Sequence, residues 1–190
     1  MVLAATKRYT ASEYLALEDK AEFKSEFIDG EIIPMAGASA NHNKIALNFC
    51  RLLPLVIGDQ TYETFMSDMR LWMPEYNRYT YPDVMVVAGE PVFVDQRQME
   101  VTNPCLIVEI LSSSTQGYDH DGKFRQYRSL SSFREYVLVY QNGYEVDHYV
   151  KESEDRWVLL THRGEGAVIK LVSVPLEVSL RDLYKRVQFS

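Results

Sequence analysis

Hydrophobic and polar positions along the chain follow two periods, and the switches between them outline its elements. From Asn41 to about Ile57 the apolar residues Ile45, Ala46, Phe49, Leu52, Leu53 and Val56 recur at helical spacing. This predicts an amphipathic helix with Asn41 as N-cap, bent or ended early by Pro54. Upstream, Thr10-Ala-Ser-Glu13 has the form of a capping box, so a short helix should run to about Glu18. Between them SEFIDGEIIPM reads as two short strands around Asp29-Gly30, a dipeptide suited to a two-residue hairpin turn.

TYETFMSDMRLWMP and YPDVMVVAG read as the next strands, separated by the turn-rich PEYNRYTYP. PCLIVEIL is a nearly continuous apolar run, the pattern of a central strand covered on both faces. Ser112 to Thr115 reads as a loop, followed by a helix from about Tyr118 to Leu130 with Phe124, Tyr127 and Leu130 turned to the core. EYVLVYQ and YEVDHYV flank Asn142-Gly143 as a second hairpin, RWVLLTH and AVIKLV extend a β-rich C-terminal half, and Ser179 caps a short helix in LRDLYKRV. No repeat or composition break divides the chain, so residues 1–190 are expected to form a single α/β domain. Its mixed central β-sheet should be flanked by helices, with an N-terminal hairpin. The path from Leu106 to Tyr140 suits a right-handed parallel crossover.

Composition narrows the class more than the function. At 190 residues the chain can bury a sizeable core without disulfides or a structural metal, and 46% hydrophobic with 25% charged residues is ordinary globular usage. No apolar run approaches the ~18 residues of a membrane span, and the first residues lack a signal-peptide core, which points to the cytoplasm. Cys50 and Cys105 both sit in apolar contexts and read as buried small residues. The net charge of −7 disfavours indiscriminate coating of nucleic acid, although it leaves room for a local basic cleft.

Three polar residues resist a purely structural reading: Asp83 at the head of PDVMVV, Glu109 inside LIVEIL, and Lys123 on the following helix. A buried, unpaired carboxylate costs several kcal/mol, so Glu109 has to be neutralised, paired or used on a cation. Two carboxylates on neighbouring strands can share Mg²⁺, which takes oxygen ligands. Lys123 stands fourteen residues beyond Glu109, too far to share its strand, and the loop and helix must return it. There it would balance the acids, orient water and stabilise a transition state.

The order Glu26-Phe-Ile-Asp-Gly-Glu31, Pro82-Asp83-Val84, Val108-Glu109-Ile-Leu-Ser112, then Asp119 through Lys123 and Tyr127 resembles the Uma-type restriction endonuclease family. The likeness runs from about Tyr9 to Val187. It implies the PD-(D/E)xK nuclease superfamily: a restriction-endonuclease-like mixed sheet flanked by helices, with acids holding Mg²⁺ or Mn²⁺ for hydrolysis of DNA phosphodiesters. By position Asp83 is then the motif aspartate and Glu109 the motif acid, the two metal ligands. The superfamily lysine normally stands two residues after the acid, where this chain has Leu111. The Uma-type proteins move it to the next helix, which makes Lys123 the replacement.

Other readings stand beside these. Glu109 and Lys123 also suit a buried salt bridge, which would make the protein a non-catalytic oligomeric or binding module of the same fold. Glu26, on the first hairpin arm, is a further candidate for the metal site or its surroundings. His42, at the helix start, is another, because a helix N-terminus can receive phosphate. Lys44, Arg51, Arg125, Arg128 and Arg134, with Tyr76, Tyr79 and Tyr81, are candidates to line a nucleic-acid groove. No helix-turn-helix or zinc-finger spacing supports sequence-specific readout. The apolar and aromatic residues of the C-terminal half suggest a homodimer.

Overall fold

A computed structural model of the chain describes residues 7–111 and 122–189. The chain opens with α1 (Ala11–Glu18), where Thr10 and Glu13 exchange both bonds of the capping box. β1 (Ser25–Ile28) and β2 (Glu31–Pro34) follow as an antiparallel hairpin. Asp29 and Gly30 take positive φ angles of 43° and 92°, as the tight turn requires. α2 (Ala40–Leu52) is capped by Ser39, whose hydroxyl accepts from the His42 amide, and not by Asn41 as expected. It stops at Leu52 because Pro54 forces Leu53 into an extended conformation (φ −73°, ψ 130°).

The segment expected as one strand, TYETFMSDMRLWMP, splits in two. β4 (Gln60–Met66) pairs with β3 (Val56–Ile57) and β7 (Val84–Ala88), whereas β5 (Arg70–Met73) joins a different sheet. PEYNRYTYP is not merely a turn, since it contains β6 (Arg78–Thr80), which pairs with both β1 and β5. β8 (Glu100–Val101) completes this smaller sheet, in the order β2-β1-β6-β5-β8.

The larger sheet takes in β7, β4 and β3 along one side. Its centre is β9 (Leu106–Leu111), all six residues of which are buried. β10 (Glu135–Tyr140) runs parallel to β9, and β7 runs antiparallel to it, so the sheet is mixed. β11 (Glu145–Ser153) and β12 (Arg156–Arg163) extend it as antiparallel strands. Between β9 and β10 lies α3 (Phe124–Tyr127). The expected loop from Ser112 and the helix start near Tyr118 lie outside the described residues. β13 (Val168–Lys170), β14 (Glu177–Ser179) and α4 (Leu180–Leu183), capped by Ser179 as expected, close the chain.

Strand alternation divides the core into two layers. Val84, Val86, Leu106, Val108 and Ile110 face α2, β13–β14 and α4. Met85, Val87, Ile107, Leu111 and Leu138 face α3 and part of the smaller sheet, including Leu71, Met73 and Val101. Each fully buried aliphatic contributes roughly 1.5–3 kcal/mol. Behind α3, Phe124 stacks on Tyr136 at 5.6 Å between ring centroids and meets Trp157 edge-on at 5.1 Å, which pins the short helix to the sheet. Glu109 belongs by alternation to this second layer, on the side of α3.

Candidate active site

The antiparallel register that pairs Val84 with Val108 leaves Asp83 and Glu109 as the next opposing residues, one step beyond β7. Pro82 has no N–H to continue the ladder, and Asp83 uses its side chain instead. Its Oδ2 accepts the Ile110 amide at 2.8 Å, which ties it to the residue next to Glu109. The sequence thus brings its two strongest candidate acids to one end of the central sheet.

Two elements then converge on these acids from opposite faces. From the first turn of α2, His42 Nε2 lies 2.9 Å from Asp83 Oδ2. From the other face, Lys123 Nζ lies 3.1 Å from Glu109 Oε1, and the buried Tyr127 hydroxyl donates to the same oxygen at 2.6 Å. Lys123 already has helical backbone angles (φ −67°, ψ −45°), and the i,i+4 spacing puts it on one face with Tyr127. Glu109 is therefore a carboxylate held by a cation and a phenol, which offsets its burial in an apolar strand.

Electrostatics bind these five groups together. Burial works against protonation of His42, but the hydrogen bond and charge of Asp83, helped by Glu109 and opposed by Lys123, raise its pKa above the ordinary value. Burial and the Glu109 charge push the Tyr127 phenol well up, so it acts as a donor and never as a phenolate at ordinary pH.

Glu26 is engaged one shell away from this pair. It forms an ion pair with the fully buried Arg78 at 2.8 Å and accepts from the Thr80 hydroxyl. Arg78 also donates to Gln126, between Lys123 and Tyr127 in sequence, so Glu26 reaches the lysine helix through the guanidinium. The sequence alone does not single out Arg78 or Gln126, and Tyr127 enters it as a core position and a member of the family pattern, without a role of its own. For Tyr127 the i,i+4 relation to Lys123 is the available signal, whereas Arg78 sits in a segment that reads as a turn.

Asp83 and Glu109 supply hard carboxylate oxygens, the donors Mg²⁺ takes, and that ion needs only one or two carboxylates beside water and substrate oxygen. Asp83 Oδ1 accepts no hydrogen bond among the described residues, and its side chain keeps 14% exposure, enough to meet an ion from solvent. No group of three or more His, Cys, Asp or Glu side chains gathers into a ready cage among the described residues. The donor set fits a hydrated two-carboxylate site and not a closed structural zinc centre.

Residues 11–182 match the model of the family Uma2, "Putative restriction endonuclease". Two proteins of Synechocystis sp. (strain ATCC 27184 / PCC 6803 / Kazusa) are similar over nearly their whole length. Uncharacterized protein sll1609 is 55% identical over 170 residues, 90% of this chain and 96% of that protein. Uncharacterized protein slr1290 is 31% identical over 183 residues, 96% of this chain and 94% of that protein. Among solved structures, "a putative nuclease belonging to DUF820" from Anabaena variabilis superposes with a TM-score of 0.72 at 20% identity, covering 95% of this chain and 99% of that one. That likeness is one of fold, the mixed α/β arrangement expected from the sequence.

Proposed function

Because the chain belongs to the Uma2 restriction endonuclease family, we propose that Asp83, Glu109 and Lys123 form a centre that hydrolyses DNA phosphodiester bonds with Mg²⁺ or Mn²⁺. The observation that carries this reading is the meeting of two carboxylates at adjacent strand ends, with a lysine brought 3.1 Å from one of them. Asp83 and Glu109 would hold the ion, which supplies charge neutralisation on the phosphate and an activated water.

The remaining residues have distinct tasks. Lys123 presents its ammonium beside Glu109, where it orients a water and offsets charge developing on the phosphate. Tyr127 fixes the Glu109 carboxylate from within the core. His42 holds Asp83 Oδ2 and leaves Oδ1 for a ligand. The Glu26–Arg78–Gln126 chain steadies the helix that carries the lysine.

Cleavage of supercoiled plasmid and of a labelled oligonucleotide with Mg²⁺ or Mn²⁺ tests the proposal, comparing wild type with Asp83→Ala and Glu109→Ala. Metal-dependent cleavage lost in both variants supports it. Equal residual activity in all three identifies a contaminant and sinks it.

One observation favours a second reading, a structural acid–lysine cluster in a non-catalytic module. Glu109 Oε1 already serves both Lys123 and Tyr127, as it would in a satisfied ion pair. A melting titration with Mn²⁺ separates the two: a structural cluster gives no metal response, and a metal centre gives a rise that Asp83→Ala abolishes.

A further inference from the structure

In a chain of net charge −7, many exposed cations are neutralised by neighbours, as Arg156, Arg163, Lys170 and Arg181 are by Glu152, Glu145, Glu177 and Glu165. Lys44, Arg51, Lys185 and Arg186 differ: no ion pair ties any of them to a carboxylate among the described residues. Arg51, Lys185 and Arg186 line one cleft of about 380 Å³ between α2 and the segment after α4.

The cleft is built and not accidental. The Asn48 amide donates to the carbonyls of Leu183 (3.0 Å) and Lys185 (2.9 Å), and the Asn41 amide donates to Gln188 O at 2.8 Å. These bonds lay the C-terminal segment along α2, with its cations beside those of the helix. Arg186 keeps a left-handed backbone (φ 65°), a strained state for a residue with a Cβ. Asp182, the acid lining the cleft, accepts from the Ser179 hydroxyl at 2.7 Å and keeps its charge, so three cations there face one carboxylate.

α2 also connects this cleft to the candidate centre. His42 touches Asp83 in its first turn, and Arg51 stands nine residues beyond it, roughly 13.5 Å along the axis and, at 3.6 residues per turn, half a turn around it, on the same side as Lys44. That is the axial span of about four base-pair steps. We infer that the strip Lys44–Arg51–Lys185–Arg186 is a docking surface for the phosphate backbone of duplex DNA, holding the substrate on the outer side of the helix whose first turn touches Asp83. This inference rests on the phosphodiesterase reading for its partner and on the grouping of these cations for its place.

The test is the salt dependence of binding to a 20-base-pair duplex, by fluorescence anisotropy in EDTA, for the full chain. Arg51→Ala/Lys185→Ala/Arg186→Ala should flatten the slope of log affinity against log salt by about 0.9 for each phosphate no longer neutralised, about 2.7 for three. Arg156→Ala/Arg163→Ala/Lys170→Ala makes the same change of side-chain charge at exposed positions elsewhere and should leave the slope as in wild type. Equal slopes in the two variants, or no salt-dependent binding by folded wild type, would overturn the strip. Tighter binding of an RNA duplex through the same residues would overturn its assignment to DNA. Parallel cleavage assays keep the two proposals apart. Binding through the strip without any cleavage sinks hydrolysis alone, whereas cleavage with an unchanged slope in the strip variant sinks the strip alone.

Discussion

Lys123 Nζ lies 3.1 Å from Glu109 Oε1 although fourteen residues of chain separate them. The pairing exists because β9 carries the acid to the α3 face of the sheet and Phe124 anchors the returning helix among Tyr136, Tyr149 and Trp157. The same displacement explains how a site can form with Leu111 occupying the position two residues after the acid.

Breaking this pair from one side should be worse than removing it whole. Lys123→Met leaves Glu109 short of its cation, and one-sided loss of a buried pair costs roughly 3–5 kcal/mol. Side-chain exposures of 12% and 5% place the expected loss toward the lower end. Urea unfolding of Lys123→Met, Glu109→Gln and the double variant checks it. The double variant should be more stable than the sum of the singles implies, and strict additivity would contradict the coupling.

Tyr127→Phe removes one hydroxyl and no ring. The hydrogen bond it gives to a carboxylate is worth roughly 1.5–3 kcal/mol, and the Phe133 and Tyr136 ring contacts should remain. Unfolding should shift by that amount while the circular dichroism of the native state stays the same. A change under about 0.5 kcal/mol, smaller than a typical hydrogen bond, would mean that Glu109 finds another donor without penalty.

The His42–Asp83 contact sets a pH dependence of definite sign. A histidine with a raised folded pKa contributes stability in full below its unfolded value of about 6.5, and loses it as pH rises through the folded value. His42→Asn should therefore destabilise the protein more at pH 6 than at pH 9. Paired urea curves at the two pH values measure this, and an equal difference at both would remove the charged interaction.

Glu135 gives the opposite dependence at a place remote from the proposed chemistry. Burial opposes its charge, but His148, the Ser173 hydroxyl and the Ser173 and Val172 amides hold its pKa below the usual carboxylate range. Its contribution is present above about pH 4.3 and lost as pH falls through the lower folded value. Glu135→Gln should weaken the fold at pH 7, with the gap to wild type closing in acid. Cleavage per folded molecule should match wild type, because Glu135 pins the loop between β13 and β14 to the sheet.

Much of the framework is legible in the sequence because local and global signals agree. The alternation in PDVMVV and the apolar run around Glu109 specify buried neighbouring strands, and Asp29-Gly30 specifies its turn. The smaller sheet is harder to read. Arg78 carries a full charge in PEYNRYTYP yet is completely buried, because Glu26 and Gln126 bind its two terminal nitrogens from segments far away in sequence. Ser39, and not Asn41, caps α2 because SANHNK offers several competent cap residues close together, and only the path of the backbone chooses among them. Asp83 and Glu109 are legible as misplaced charges in apolar strands. The His42 contact is not, since a histidine at a helix start ordinarily faces water.

The claim that Asp83 and Glu109 hold a cation is tested most directly by Mn²⁺ titration followed by paramagnetic resonance of the free ion, with wild type, Asp83→Asn and Glu109→Gln side by side. Folded wild type should bind Mn²⁺ saturably and both variants should lose that binding, with a Mn²⁺-dependent rise in melting temperature that disappears with it. Folded wild type that binds no Mn²⁺, or variants that bind it as tightly as wild type, would contradict it.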